Sequence, residues 1–140
     1  MAYPCLPPLI RLITREEAFK RAERIKKENE ALYGVPFDME HKYLPLEVLI
    51  PTQRELNEKK LLVVLQEIVH GYDAPVIVLE HKGNYYILDG HHRAYARKKL
   101  GFSQIEAIIL RPLREIPTKI EESVKRARLK TLDDIVISKE

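Results

Sequence analysis

The sequence predicts a mixed α+β fold: a small mixed sheet with helices, a helical N-terminal extension and a C-terminal helix. Three observations predict it. Apolar runs of strand length recur at residues 46–50, 75–80, 84–88 and 104–110. Segments with helical apolar spacing lie between them, giving the order strand, helix, strand, strand, helix, strand, helix from residue 46 on. One strand runs straight into one helix through an Asp-Gly turn, Asp89-Gly90. At 140 residues the chain is long enough for one domain with its own hydrophobic core. A 45% hydrophobic and 32% charged composition argues against disorder.

Residues 1–13 are apolar and Pro-rich but lack a basic start and a small-residue cleavage site, so they do not read as a secretory signal. Cys5 is the only cysteine, which excludes an internal disulfide and fits a reducing cytoplasm. Its neighbours Pro4 and Leu6-Pro7-Pro8 include no base, so it does not read as a nucleophile. Thr14-Arg15-Glu16-Glu17 is a capping box. Phe19, Ala22, Ile25 and Leu32 follow as the apolar stripe of a first helix, and Gly34 is its stop. Lys20, Arg21, Arg24, Lys26 and Lys27 fall on its other faces and read as solvated. Residues 35–42 read as a connector. Together residues 1–45 form an N-terminal arm and helix packed on a domain of residues 46–140.

The first strand, residues 46–50, stops at Pro51. Residues 52–56 are a polar loop, and Asn57 caps a helix whose apolar face is Leu61, Leu62, Val64, Leu65, Ile68 and Val69, ending at Gly71. The runs at 75–80 and 84–88 form an antiparallel pair around Lys82-Gly83. The next helix ends near Leu100 and Gly101, and the Ile-rich strand 104–110 comes after it. Thr118-Lys119-Ile120-Glu121 reads as a second capping box. Ile116, Ile120, Val124 and Ala127 mark the inner face of the last helix. Lys125, Arg126, Arg128 and Lys130 near its C-terminal end complement the helix dipole.

The densest chemistry is Ile87-Leu88-Asp89-Gly90-His91-His92-Arg93. Gly90 lets the backbone approach whatever sits above it. His91, His92 and Arg93 occupy the first helical turn, where free amides, the positive end of the dipole and a guanidinium converge. That combination suits a phosphate or a carboxylate. His91 and His92 are adjacent and so cannot form the i, i+4 pair that a helical metal site wants. They read as hydrogen-bond donors to phosphate or substrate. Asp89 has two readings: an N-cap, or a carboxylate holding Mg²⁺ over bound phosphates. His41, His70 and His81 are scattered and read as structural or exposed.

Asp89 to Arg93 resembles the Asp-Gly-His-His-Arg signature of the ParB/sulfiredoxin-like superfamily, in the form found in archaeal free serine kinases. Leu46-Glu47-Val48-Leu49-Ile50-Pro51-Thr52-Gln53-Arg54-Glu55-Leu56 is similar to the strand–Pro–loop element that opens ParB-like domains. The two stretches span roughly residues 43–110, about half the chain. The resemblance implies a ParB/sulfiredoxin-like, nucleotide-binding domain over residues 46–140, with Gly90, His91, His92, Arg93 and Gln53 around the nucleotide. It implies ADP or ATP with Mg²⁺, and phosphate transfer to a small hydroxyl-bearing substrate. In the free serine kinases a loop glutamate activates the acceptor. Counting back from the helix after the loop puts Glu55 in that place; counting forward from Pro51 puts Gln53 there. Asp89 takes the metal-linked catalytic role. Those kinases extend well beyond the shared domain, whereas this sequence stops at Glu140, so the implied acceptor is not fixed as serine.

Other branches imply other functions. Sulfiredoxins carry a catalytic cysteine inside the motif, where this chain has His91, which disfavours their chemistry. The ParB branch implies a nucleotide-driven switch or a DNA-associated module, but no helix-turn-helix or coiled-coil pattern is present. A nuclease needs a denser carboxylate cluster than Asp89 and Glu55. A net charge of +3 suits anionic small ligands and, at most, weak non-specific nucleic-acid binding. No apolar run approaches the roughly 18 residues of a membrane span. Abundant Lys, Glu and Arg point to a thermophilic source.

Overall fold

The computed structural model describes residues 10–139. In chain order the elements are α1 (Arg15–Tyr33), β1 (Phe37–Pro45), β2 (Leu49–Ile50), β3 (Glu55–Asn57) and α2 (Glu58–Val69). Then come β4 (Val76–His81), β5 (Asn84–Asp89), α3 (His91–Lys99), β6 (Gln104–Pro112), α4 (Ile120–Arg126) and β7 (Val136–Ser138). Five strands form one mixed sheet in the order β1-β6-β4-β5-β2. Within it β1 is antiparallel to β6, β4 is parallel to β6 and antiparallel to β5, and β2 is parallel to β5. β3 and β7 pair separately, in parallel. The mixed α+β class is the one the sequence predicts.

The central strands are apolar on both faces because both faces are covered. Val76, Val78, Ile87, Ala107 and Ile109 share one cluster with Leu46, Leu49, Ala94 of α3 and Leu132. Their neighbours Ile77, Leu79, Tyr86, Ile108 and Leu110 pack on the other side with Ala22 of α1 and Val124 of α4. The period-two alternation of a strand thus sorts one continuous apolar run into two cores. α2 lies behind α3, packed through Leu61, Val64, Ile68 and Ala96.

Local signals in the sequence explain the element ends. The Thr14 hydroxyl accepts from Glu17 N–H at 3.1 Å, and the Glu17 carboxylate accepts from Thr14 N–H at 3.1 Å. Gly34 closes α1 at φ 65°, and Asn57 caps α2 by accepting from Lys60 N–H at 2.9 Å. Lys82 and Gly83 have φ of 51° and 80°, the left-handed pair that a type I′ hairpin turn needs.

Several expectations are corrected. Residues 35–42 are not a connector: from Phe37 on they form β1, with Phe37 opposite Pro112 and Pro45 opposite Gln104. Asp38, Glu40 and Lys42 disguise the strand because it is an edge, where charges are tolerated and discourage further pairing. The strand expected at 46–50 is mostly a 3-10 turn, Leu46–Val48, and only Leu49 and Ile50 pair. The loop expected at 52–56 ends in β3, which finds its partner in β7 at the far end of the chain. The second capping box does not form: Lys119 is the N-cap, and Thr118 Oγ1 accepts from Ile120 N–H at 3.3 Å. Leu32, Leu62 and Val69 are exposed, because α1 and α2 each bury a narrower stripe than their composition suggests. Cys5 lies outside the described residues. No described helix is long and apolar enough to cross a membrane.

Burial separates two aliphatic positions that look alike in sequence. Ile108, 1% exposed between the sheet and α1, should cost about 2–5 kcal/mol on substitution by Ala. Leu62→Ser, at a position 57% exposed, should change stability by no more than about 0.5 kcal/mol. Urea denaturation of the two variants measures the contrast.

Candidate functional site

The site is built at the C-terminal end of β5. Ile77 pairs with Asp89 but Val78 pairs with Ile87, so Leu88 is an extra, bulged residue. A bulge twists a strand and re-aims the residues beyond it. Here it delivers Asp89 to the edge of a cavity, and Gly90 then turns the chain into α3 at φ 102°. A Cβ on Gly90 would stand 2.7 Å from Val76 Cγ1 and 2.8 Å from Arg93 Nη2. Only glycine lets the backbone pass this close over the Arg93 guanidinium.

Asp89 is not the N-cap. Gly90 holds that place, and no side chain caps α3. The Asp89 carboxylate instead accepts from Arg21 Nη1 of α1, at 3.1 and 3.2 Å to its two oxygens. It also accepts from Arg93 Nη2 at 3.3 Å. The same Arg93 nitrogen donates to the Pro75 carbonyl at 3.0 Å. Arg93 is buried, and its Nε has no hydrogen-bond partner among the described residues. The first hydrogen bond of α3 runs from Ala94 N–H to Gly90 O, so the amides ahead of it have no acceptor within the helix.

The two histidines turn out to be acceptors. His91 Nε2 accepts from Thr52 N–H at 3.0 Å, while the Thr52 hydroxyl donates to Ile87 O at 2.6 Å. His92 Nε2 accepts from Asn57 N–H at 3.2 Å. Each ring therefore carries its proton on Nδ1, which is left as its only donor. Burial pushes the His91 pKa down to about 4; His92 and Arg93 push the same way and Asp89 opposes them. Burial, then Lys60 and Arg93, bring His92 to about 4 as well. Adjacent residues on a helix point in different directions, and this pair uses that divergence to hold both ends of the segment 52–57.

That segment separates Gln53 from Glu55. Gln53 lines the cavity, and its side-chain nitrogen donates to the Glu55 carbonyl at 2.6 Å. Glu55 is exposed and is not among the lining residues. The cavity, about 310 Å³, also receives Lys60 from α2, Arg21 from α1 and Arg11 from the segment before it. It thus brings Asp89, Gly90, His91, His92, Arg93 and Gln53 together and leaves Glu55 outside. Sequence reasoning missed Arg11, Arg21 and Lys60. Arg21 was assigned to a solvated face; its place beside the buried Ala22 was the available signal. His41 and His81 are structural as read, paired with Glu106 and Glu121, and His70 is an exposed C-cap of α2.

The cavity offers a metal one carboxylate, that of Asp89. Asp89 is already committed to two guanidiniums, and the described residues contain no group of three or more His, Cys, Asp or Glu able to hold a metal.

The sequence model of the ParB N-terminal domain family matches residues 39–130, from β1 to just past α4. The chain belongs to this family. The superfamily expected from Asp89 to Arg93 is thereby borne out. An uncharacterised protein of Methanocaldococcus jannaschii is 32% identical over 120 residues, 84% of this chain. This ParB-like domain spans 45% of that curated relative's length. A solved protein of Agrobacterium tumefaciens shares the fold at 19% identity and a TM-score of 0.50, over 69% of this chain and 50% of its own. A free serine kinase in complex with AMP aligns at 22% identity and a TM-score of 0.45, over 51% of this chain and 31% of its own. The likeness to the Agrobacterium protein shows the fold alone and leaves the chemistry to the site.

The geometry makes Gly90 and His91 testable. Gly90→Ala combines a left-handed φ with a contact on Val76, and should cost about 2 kcal/mol or more in urea denaturation. His91 should make stability depend on acid. Its pKa is about 4 when folded and near 6.5 when unfolded, so the unfolded chain takes up the proton first as pH falls. Its contribution is complete above about pH 6.5 and shrinks as pH falls towards 4, by about 3 kcal/mol in all. His91→Gln keeps an acceptor but cannot titrate. Urea denaturation of both proteins between pH 7.5 and 4 should show the wild type losing the additional stability.

Proposed function

We propose that this ParB-like domain binds a nucleotide through its phosphates, at the cavity before α3. One observation carries the reading: four cations, Arg11, Arg21, Lys60 and Arg93, line the cavity with a single carboxylate, Asp89, and Arg11 is also paired with Glu17 outside it at 2.7 Å. Both histidines are neutral, so the excess is permanent near neutral pH. The amides at the start of α3 add donors, and the missing Cβ of Gly90 leaves room for the Arg93 guanidinium beneath them. Lys60 makes no ion pair among the described residues, which leaves its charge for a ligand. The unpartnered Arg93 Nε supports the same reading, since a buried donor without an acceptor is costly.

A second reading, phosphate transfer from ADP or ATP to a small hydroxyl-bearing acceptor, is favoured by Gln53. Its nitrogen is taken by the Glu55 carbonyl, so its carbonyl oxygen is the end left to accept a hydrogen bond from an acceptor hydroxyl. In that reading Gln53 orients the acceptor, and Asp89 orients Arg21 and Arg93. Glu55 is not among the residues that line the cavity, so this reading gives the acceptor-orienting role to Gln53.

The test is calorimetric titration with ADP, ATP and CTP, with and without Mg²⁺. Binding should weaken as salt rises. Lys60→Ala and Arg21→Ala should each weaken it by about ten-fold, as for loss of one charge-assisted contact. Lys60→Ala is the cleaner variant, because Arg21 also holds Asp89. Absence of binding by all three nucleotides at millimolar concentration overturns the reading. A preference for CTP over ADP and ATP would favour the switch-like ParB branch over a kinase.

A further inference from the structure

We propose that a second, apolar cavity beside the cationic one receives the nucleotide's base; the proposal rests on the phosphate-binding reading above. This cavity is about 440 Å³; Ile10, Leu12, Ile13, Val63 and Tyr72 form its apolar lining, and Thr14, Arg15 and Glu67 complete its rim. Leu12, Ile13 and Tyr72 also line the cationic cavity, so the two share one wall. Side chains sort along the segment before α1: Ile10 lines only the apolar cavity, Arg11 only the cationic one, and Leu12 both. The wall is fixed. Tyr72 donates its hydroxyl proton to the Ile13 carbonyl, and Thr14 locks the next residues into the start of α1.

A ligand that fills both cavities has a polyanionic end and a flat apolar body. A nucleotide has that form, and its base can lie against an aromatic face such as Tyr72 and against aliphatic side chains. Inorganic polyphosphate matches only the cationic half. The residues that make this second half are distinctive. Ile10, Leu12 and Ile13 precede residue 39, where the match to the ParB N-terminal domain family begins. The family's shared segment supplies Gln53, Lys60 and residues 89–93 to the phosphate end, α1 and the arm before it add Arg21 and Arg11, and the apolar residues of that arm, set against Val63 and Tyr72, supply selectivity for a nucleotide.

The experiment titrates ATP and sodium tripolyphosphate into the full chain by calorimetry, for wild type, Val63→Trp and Ile10→Ala. Val63 lies on α2 and lines the apolar cavity but not the cationic one. The expected result is ATP binding at least ten-fold tighter than tripolyphosphate. Val63→Trp should remove most of that advantage while leaving tripolyphosphate affinity unchanged, which also shows that the variant is folded. Ile10→Ala, at an exposed position, should weaken ATP several-fold and tripolyphosphate not at all. Equal affinities in the wild type overturn the base site while the phosphate reading stands. An ATP advantage unchanged in both variants also overturns it. Failure of both ligands to bind overturns the phosphate reading itself.

Discussion

The carboxylate of Asp89 is the point on which the site depends. It accepts from Arg21 of α1 and Arg93 of α3, so one residue at the end of β5 ties together helices on opposite faces of the sheet. Arg93 is 7% exposed, and without Asp89 its charge would be buried and unpaired. Breaking such a pair from one side typically costs about 3–5 kcal/mol. The other hydrogen bond of Arg93, to Pro75 O, anchors the start of β4, and its guanidinium occupies the space under Gly90. The bulge at Leu88, the glycine and the arginine are therefore one arrangement. Each is needed for the others to fit.

Charge at the site is distributed by burial. Arg11 and Arg21 keep much of their side-chain surface in water, so they raise the local potential at little desolvation cost. The groups that are buried are either paired, as Arg93 is, or neutral, as His91 is. An imidazolium at His91 would face both Arg93 and the Thr52 amide, and the amide needs a lone pair to donate to. Neutrality is thus a structural requirement of the histidines. The positive charge that lines the cavity comes from arginine and lysine side chains.

Much of the fold was legible in the sequence because it rests on local signals. Thr14 with Glu17, Asn57, Lys82-Gly83 and Gly34 each act within a few residues, and each does what its type predicts. The α3 side of the site was legible for the same reason: five consecutive residues place themselves at a helix start. What was hidden depends on partners far away in the chain. β1 is held by β6, and its own charged pattern says nothing of that partner. Arg21 meets Asp89 across 68 residues, and no local spacing announces the contact. Asp89 was read as a cap because Asp before a helix often is one; the left-handed Gly90 moves the helix start one residue on and frees the carboxylate.

The choice between Gln53 and Glu55 shows how a distant strand decides a local question. Counting along the loop left both open. β7 pairs with β3, and Val136 N–H donates to Arg54 O at 2.8 Å, which makes the end of the loop extended. In an extended segment neighbouring side chains point to opposite sides. Leu56 is fully buried beneath the sheet cluster that contains Leu132 and Ile135, so Glu55 beside it is turned outward. Asn57 is then in position to cap α2 and to donate its amide to His92. At the other end, His91 and Ile87 hold Thr52. With both ends fixed, Gln53 lines the cavity and Glu55 does not. The identity of the polar residue at the site is therefore set by a buried leucine and by a strand more than 75 residues away in sequence.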